Sequence, residues 1–239
     1  MKKAILILLV GLFWCNVGIA QNLIKIPVNV HIAQTSAKAK FNNKYYDYNT
    51  IATTQMIEKD FSKANEIWKQ ANIFWEIIKI DKTQINIKNF NKHSKFFINI
   101  RETKLNQRQL VKKSTLYFSK IIDSEKNNNS KAINVYYLPY MMAPACGYST
   151  LAHKTKKHQD YFTLISSKVS PWYGQTRGCD TGWITAHELG HLLSLNHIGT
   201  AGIDLMMYHN KERKKGNRIP PNQIKQVRNF YKKNLKKIF

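Results

Sequence analysis

The stretch His187-Glu188-Leu189-Gly190-His191-Leu192-Leu193-Ser194-Leu195-Asn196-His197 decides how this chain is read. It contains H-E-x-x-H and a further histidine six residues on. On an α-helix, positions 187, 188 and 191 fall at about 0°, 100° and 40° around the axis, so all three point to one side. Two imidazoles one turn apart can share a zinc ion, and the glutamate then stands beside the remaining coordination position. Leu189, Leu192 and Leu193 fall on the opposite side, which can be buried while the polar face lines a cleft. A structural zinc site is usually closed by four protein ligands, often cysteines, whereas three ligands and a neighbouring glutamate leave a position open for water.

This segment resembles the long zinc motif of the metzincin metallopeptidases, H-E-x-x-H-x-x-G-x-x-H. Leu205-Met206-Met207-Tyr208 is similar to their Met-turn, a tight turn whose methionine lies beneath the metal. The resemblance implies one catalytic Zn2+ held by His187, His191 and His197, with Glu188 as general base. It implies Met206 as the Met-turn residue, with Met207 as the alternative, and Tyr208 as a group that stabilises the oxyanion. The specific motifs lie between 187 and 208, and the rest of the chain matches only loosely. Ser194 departs from the pattern, because the family has glycine where the helix must stop and swing the third histidine back. Serine takes a positive φ less readily than glycine. Asp204, His209 and Glu212 are the other candidate third ligands after His191; Glu212 lies in Lys211-Glu212-Arg213-Lys214-Lys215-Gly216, a poor helix interior.

At the start of the chain, Lys2 and Lys3 precede the apolar run Ala4 to Trp14, and the small residues Gly18 and Ala20 follow. This predicts a signal peptide over 1–20 and a secreted or periplasmic protein. The remaining 21–239 is expected to form a single catalytic domain, with an N-terminal subdomain to about 196 and a C-terminal subdomain over 197–239. Cys146 and Cys179 remain after cleavage, and an even pair in an oxidising compartment predicts one disulfide. The formal charge of +24 falls to +22 when Lys2 and Lys3 are removed. Such a field favours anionic surfaces, but no nucleic-acid recognition motif accompanies it. No segment after the signal is expected to cross a membrane, and a monomer is expected.

Ile24–Ile32 alternates and reads as a first strand, in which His31 is structural. Residues 38–50 read as a loop. Helical spacing through Met56, Ile57, Phe61, Ala64, Ile67, Trp68 and Ala71 predicts a helix over 51–71, similar to the first long helix of secreted metzincin-like peptidases, running into a strand over 74–80. Residues 81–95 read as irregular and Phe96–Arg101 as a strand. A helix over 105–122, a central strand over 132–138 and strands over 147–151 and 161–165 follow, with His153 and His158 in a solvated connection. Asp180 or Thr181 caps the motif helix, and Pro220-Pro221 opens a last one. The order resembles the metzincin architecture: an α/β (α+β) fold with a mixed, mostly parallel twisted sheet, two long helices above the cleft and a small C-terminal part ending in a helix. In that family an antiparallel edge strand binds the substrate, and Gly147–Leu151 is the candidate here.

The function implied is zinc-dependent hydrolysis of peptide bonds in a protein or peptide substrate by a secreted endopeptidase. The alternative is a secreted, basic, zinc-containing binding module without turnover. A retained glutamate beside the metal argues against that alternative, since a pure binder needs no base there.

Overall fold

The structure, a computed structural model, describes residues 22–35, 38–41, 44–46, 49–98, 103–140, 145–150, 161–168, 179–198, 204–206, 216–236 and 238. The expected signal peptide over 1–20, His153, His158, Met207, Tyr208, His209 and Glu212 lie outside them. Among the described residues five strands form the main sheet: β1 (Ile24–Gln34), β4 (Ile73–Gln84), β5 (Ile133–Tyr140), β6 (Gly147–Ser149) and β7 (Phe162–Lys168), in the order β4-β1-β5-β7-β6. The pairs β1–β4, β1–β5 and β5–β7 are parallel; β6 runs antiparallel to β7 at the edge. This is the mixed, mostly parallel twisted sheet that the sequence predicts, with β5 at its centre.

Alternation along β1 divides its side chains between two layers. Ile24, Ile26, Val28, Val30 and Ile32 face one side, where Ile57, Phe61, Ala64 and Trp68 of α1 (Thr54–Trp68) pack on them. The motif helix α5 (Thr181–Leu192) adds Ala186, Leu189 and Leu192 to the same core. Trp68 ties the two helices together, its indole N–H donating to the Ala186 carbonyl at 3.0 Å. On the other side, Ala33, Tyr136, Leu138, Phe162 and Leu164 meet the aromatics of α2 (Ile87–Ile98) and α3 (Gln107–Ile122). His31 belongs to this far layer. It is buried, stacked on Tyr136 at 4.2 Å, and bonded to Thr83 at 2.9 Å and to Asn134 at 3.2 Å, a structural histidine.

Three sequence expectations are corrected. Residues 81–95 are not irregular: β4 runs to Gln84 and α2 begins at Ile87. The pairing of β1 with β4 slips once, so that Val28 opposes Ile77 and Asn29 opposes Lys79, and the bulged Ile78 points outward. Phe96–Ile98 is helix and not strand, because Phe90, His93 and Phe97 share one helical face that is buried against Tyr117 and Phe118. Residues 38–50 are not wholly loop, since β2 (Ala39–Phe41) and β3 (Lys44–Tyr46) pair antiparallel.

The short helix α4 (Ser124–Asn127) leads into β5. The chain closes with α6 (Pro221–Phe230), which has proline at its start as expected, and a π-helical turn over Tyr231–Leu235. Gln223, Val227 and Leu235 are its buried residues. Among the described residues no helix is long and apolar enough to cross a membrane.

Candidate metal centre

The site is built on α5. Asp180 caps it by accepting the Trp183 N–H at 3.1 Å, and the helix then runs inside the protein with Leu189, Leu192 and Leu193 fully buried. Its end explains how His197 returns. The N–H of Ser194 donates to the His191 carbonyl at 2.8 Å and the N–H of Leu195 to the Gly190 carbonyl at 3.0 Å. This pair of bonds is the Schellman arrangement, which needs a left-handed residue at the position Ser194 occupies. Ser194 supplies it, with φ of 71°. The chain therefore makes this turn with serine in place of glycine.

That path brings three imidazoles to one point. The Nε2 atom of His197 lies 3.1 Å from that of His187 and 3.2 Å from that of His191. All three ligand atoms lie within 4.8 Å of one another. A tetrahedral zinc with nitrogen ligands at 2.0–2.1 Å sets those atoms about 3.3–3.4 Å apart. The far sides of two rings are fixed. His187 Nδ1–H donates to the Leu205 carbonyl and His191 Nδ1–H to the Leu195 carbonyl, both at 2.7 Å. Each bond holds its ring in the tautomer that leaves Nε2 with a lone pair toward the cluster. Burial pushes the His191 imidazole down to about 4 and lowers that of His197, which keeps both neutral, as ligands must be. Spacing, tautomers and charge state together fit a single Zn2+.

The turn below the cluster is held by its backbone. Met206 accepts the Ile198 N–H at 2.9 Å, Leu205 N–H donates to the Arg218 carbonyl at 2.7 Å, and the Arg218 guanidinium pairs with Asp204 at 2.5 Å. Asp204 is thus engaged away from the cluster. Met206 is fully buried against Gly190, where an added Cβ would stand 2.5 Å from its sulfur. Of the two methionines, Met206 is the one described, and it lies under the zinc helix.

Glu188 follows His187 on the same helix. It is buried, and its Oε2 has no hydrogen-bond partner among the described residues. Burial pushes its carboxyl up to about 8. Edge strand β6 lies against it. An added Cβ on Gly147 would meet Glu188 Cγ at 2.5 Å, and the Ser149 hydroxyl donates to the Glu188 carbonyl at 2.8 Å. Cys146, at the head of β6, forms a disulfide with Cys179, the residue before the α5 cap. Of the residues singled out in the sequence, the three histidines meet in one cluster and the two cysteines pair, while the contact of Gly147 and Ser149 with Glu188 and the Leu195 and Leu205 carbonyls were not foreseen. The carbonyls carry no side-chain signal, and a glycine and a serine in a three-residue strand carry almost none.

The histidine spacing matches the metzincin-type motif, and the cluster it builds supports a zinc-dependent peptidase. No family model matches the chain, and no curated protein matches it. Among solved structures it is similar to an archaemetzincin from Methanopyrus kandleri, at 11% identity and a TM-score of 0.43, covering 90% of this chain and 99% of that one. It is also similar to a chain in a chaperone–substrate complex, at 10% identity and a TM-score of 0.45. That match covers 86% of this chain and spans only 33% of the other.

Proposed function

We propose that the protein is a secreted zinc-dependent endopeptidase that hydrolyses peptide bonds with Glu188 as general base. The observation that carries this reading is the meeting of three imidazoles, Nε2 to Nε2 at 3.1 and 3.2 Å, beside a buried glutamate that follows the first of them in sequence. A zinc ion held there supplies Lewis acidity, polarising a carbonyl and acidifying a water molecule. His187 and His191 contribute as ligands oriented by the Leu205 and Leu195 carbonyls. Glu188 accepts the proton of the attacking water and returns it to the leaving amine. Burial raises the carboxyl, so Glu188 takes up a proton more readily than an exposed glutamate does.

Peptide binding follows from the sheet edge. Among the described residues β6 ends the sheet, and an extended chain can add to it as a further strand, with main-chain hydrogen bonds fixing direction. That edge lies against Glu188, which puts an added peptide beside the reacting groups. Secretion is supported by the basic, apolar and small-residue sequence over 1–20 and by the Cys146–Cys179 disulfide, a bond that persists in oxidising compartments.

The test is a digest of casein or a peptide library by the secreted form, with and without a chelator. The proposal expects internal cleavage that a chelator abolishes and added Zn2+ restores. Zinc uptake at one ion per chain with no cleavage of any substrate would instead leave a zinc-containing binding module.

A further inference from the structure

Gly147 stands out because nothing in its own backbone calls for glycine. Its φ lies outside the left-handed range, and it pairs with Ile165 as an ordinary strand residue. What it lacks room for is a side chain. A Cβ there would meet Glu188 Cγ at 2.5 Å and Cδ at 2.7 Å, closer than the 3.0 Å that real Cβ atoms keep. We propose, on the reading of Glu188 as the base, that β6 positions the Glu188 carboxylate by contact and that Gly147 is the positioning residue.

Three further observations point the same way. Glu188 Oε2 has no hydrogen-bond partner among the described residues, so no bond to that oxygen fixes the carboxylate, and the contact with β6 bears on its direction. Ser149 lies two residues along the strand, on the same face as Gly147. Its hydroxyl bonds to the Glu188 carbonyl and to Thr163 Oγ1, each at 2.8 Å, which locks strand and helix in register. Both sides of the contact are also anchored to β7. The Cys146 carbonyl accepts the Ser166 N–H at 2.9 Å, and the Cys179 N–H donates to the Ser167 carbonyl at 2.8 Å. The disulfide then joins the head of β6 to the residue before the helix cap. Strand and helix cannot separate to admit a larger residue at 147 without breaking one of these ties.

A methyl group at 147 must therefore displace the carboxylate by roughly 1 Å, and an error of that size in a reacting group costs on the order of 10²-fold in rate. Neither the histidines nor the outer edge of β6 changes, so zinc affinity and KM should stay near wild type. The experiment places Gly147→Ala in the full chain and, separately, in a Glu188→Ala background that removes every atom in the clash. Zinc affinity, kcat, KM and thermal midpoint are measured throughout. The expected result is a fall in kcat of about 10²-fold with zinc affinity unchanged, and a drop in midpoint of roughly 4–8 °C that disappears in the Glu188→Ala background. Equal losses of midpoint in both backgrounds, or an unchanged kcat in an active enzyme, would overturn the proposal. If Gly147→Ala alone does not fold, folding of the double variant supports the contact, and its failure to fold overturns it. A wild-type protein that binds zinc but cleaves nothing would sink the peptidase reading, while the midpoint comparison would still decide the contact.

Discussion

At the scale of single residues the site is a set of fixed directions. The histidines were legible in the sequence because helical spacing alone brings 187 and 191 to one face. The third was legible through its distance along the chain, but the turn that returns it was not, since Ser194 breaks the glycine pattern. The structure shows serine taking the left-handed conformation, with its carbonyl held by Gln226 Nε2 at 2.8 Å. A non-glycine residue in that region carries a cost of about 1–2 kcal/mol. Ser194→Gly should therefore stabilise the fold by about 1 kcal/mol, part of the relief being offset by the greater freedom of glycine in the unfolded chain. Urea unfolding would show a higher midpoint at unchanged slope. A lower midpoint would mean that the serine side chain contributes more than the backbone strain removes.

At the scale of elements, the helices and strands that build the site were read nearly to their ends, and the misreadings fell elsewhere. Phe96–Ile98 looks like a strand because its apolar residues crowd together, yet Asn86 caps a helix there by accepting the Asn89 N–H at 3.0 Å. The period set by Phe90, His93 and Phe97 then prevails because that face has α3 to pack on. The junction of α1, α5 and β5 carried a polar contact with no sequence signature. Asp60 on α1 accepts hydrogen bonds from Thr181 at 3.0 Å and Tyr137 at 3.1 Å within that packing. Burial, more than any other cause, raises its carboxyl from 3.8 to about 6. A carboxyl that holds its proton more tightly in the folded state than in the unfolded chain stabilises the fold at low pH, and that contribution is lost as pH rises. Asp60 should thus contribute a decline in stability between about pH 4 and pH 6. Asp60→Asn should remove that part of the slope, as read from unfolding midpoints across the range; a slope identical to wild type would show that Asp60 is not its source.

At the scale of the whole molecule, the sheet separates two layers that do different work. One layer packs the motif helix α5 against α1 and the sheet; the other, with α2 and α3, covers the far face. Edge strand β6 and the segment around Met206 then approach α5 from opposite sides, the first reaching Glu188 and the second lying under Gly190. This arrangement was legible as an element order, but the contacts between elements were not, because they depend on register and on backbone groups. The central claim is that Glu188 acts as a base and does not serve as a ligand. It is tested most directly by preparing the protein with Glu188→Gln and measuring bound zinc and peptide hydrolysis on the same sample. The account predicts zinc at the wild-type level and hydrolysis reduced by about 10²–10⁴-fold, since glutamine keeps size and helix while losing the proton acceptor. A variant that binds zinc and cleaves at the wild-type rate would contradict it.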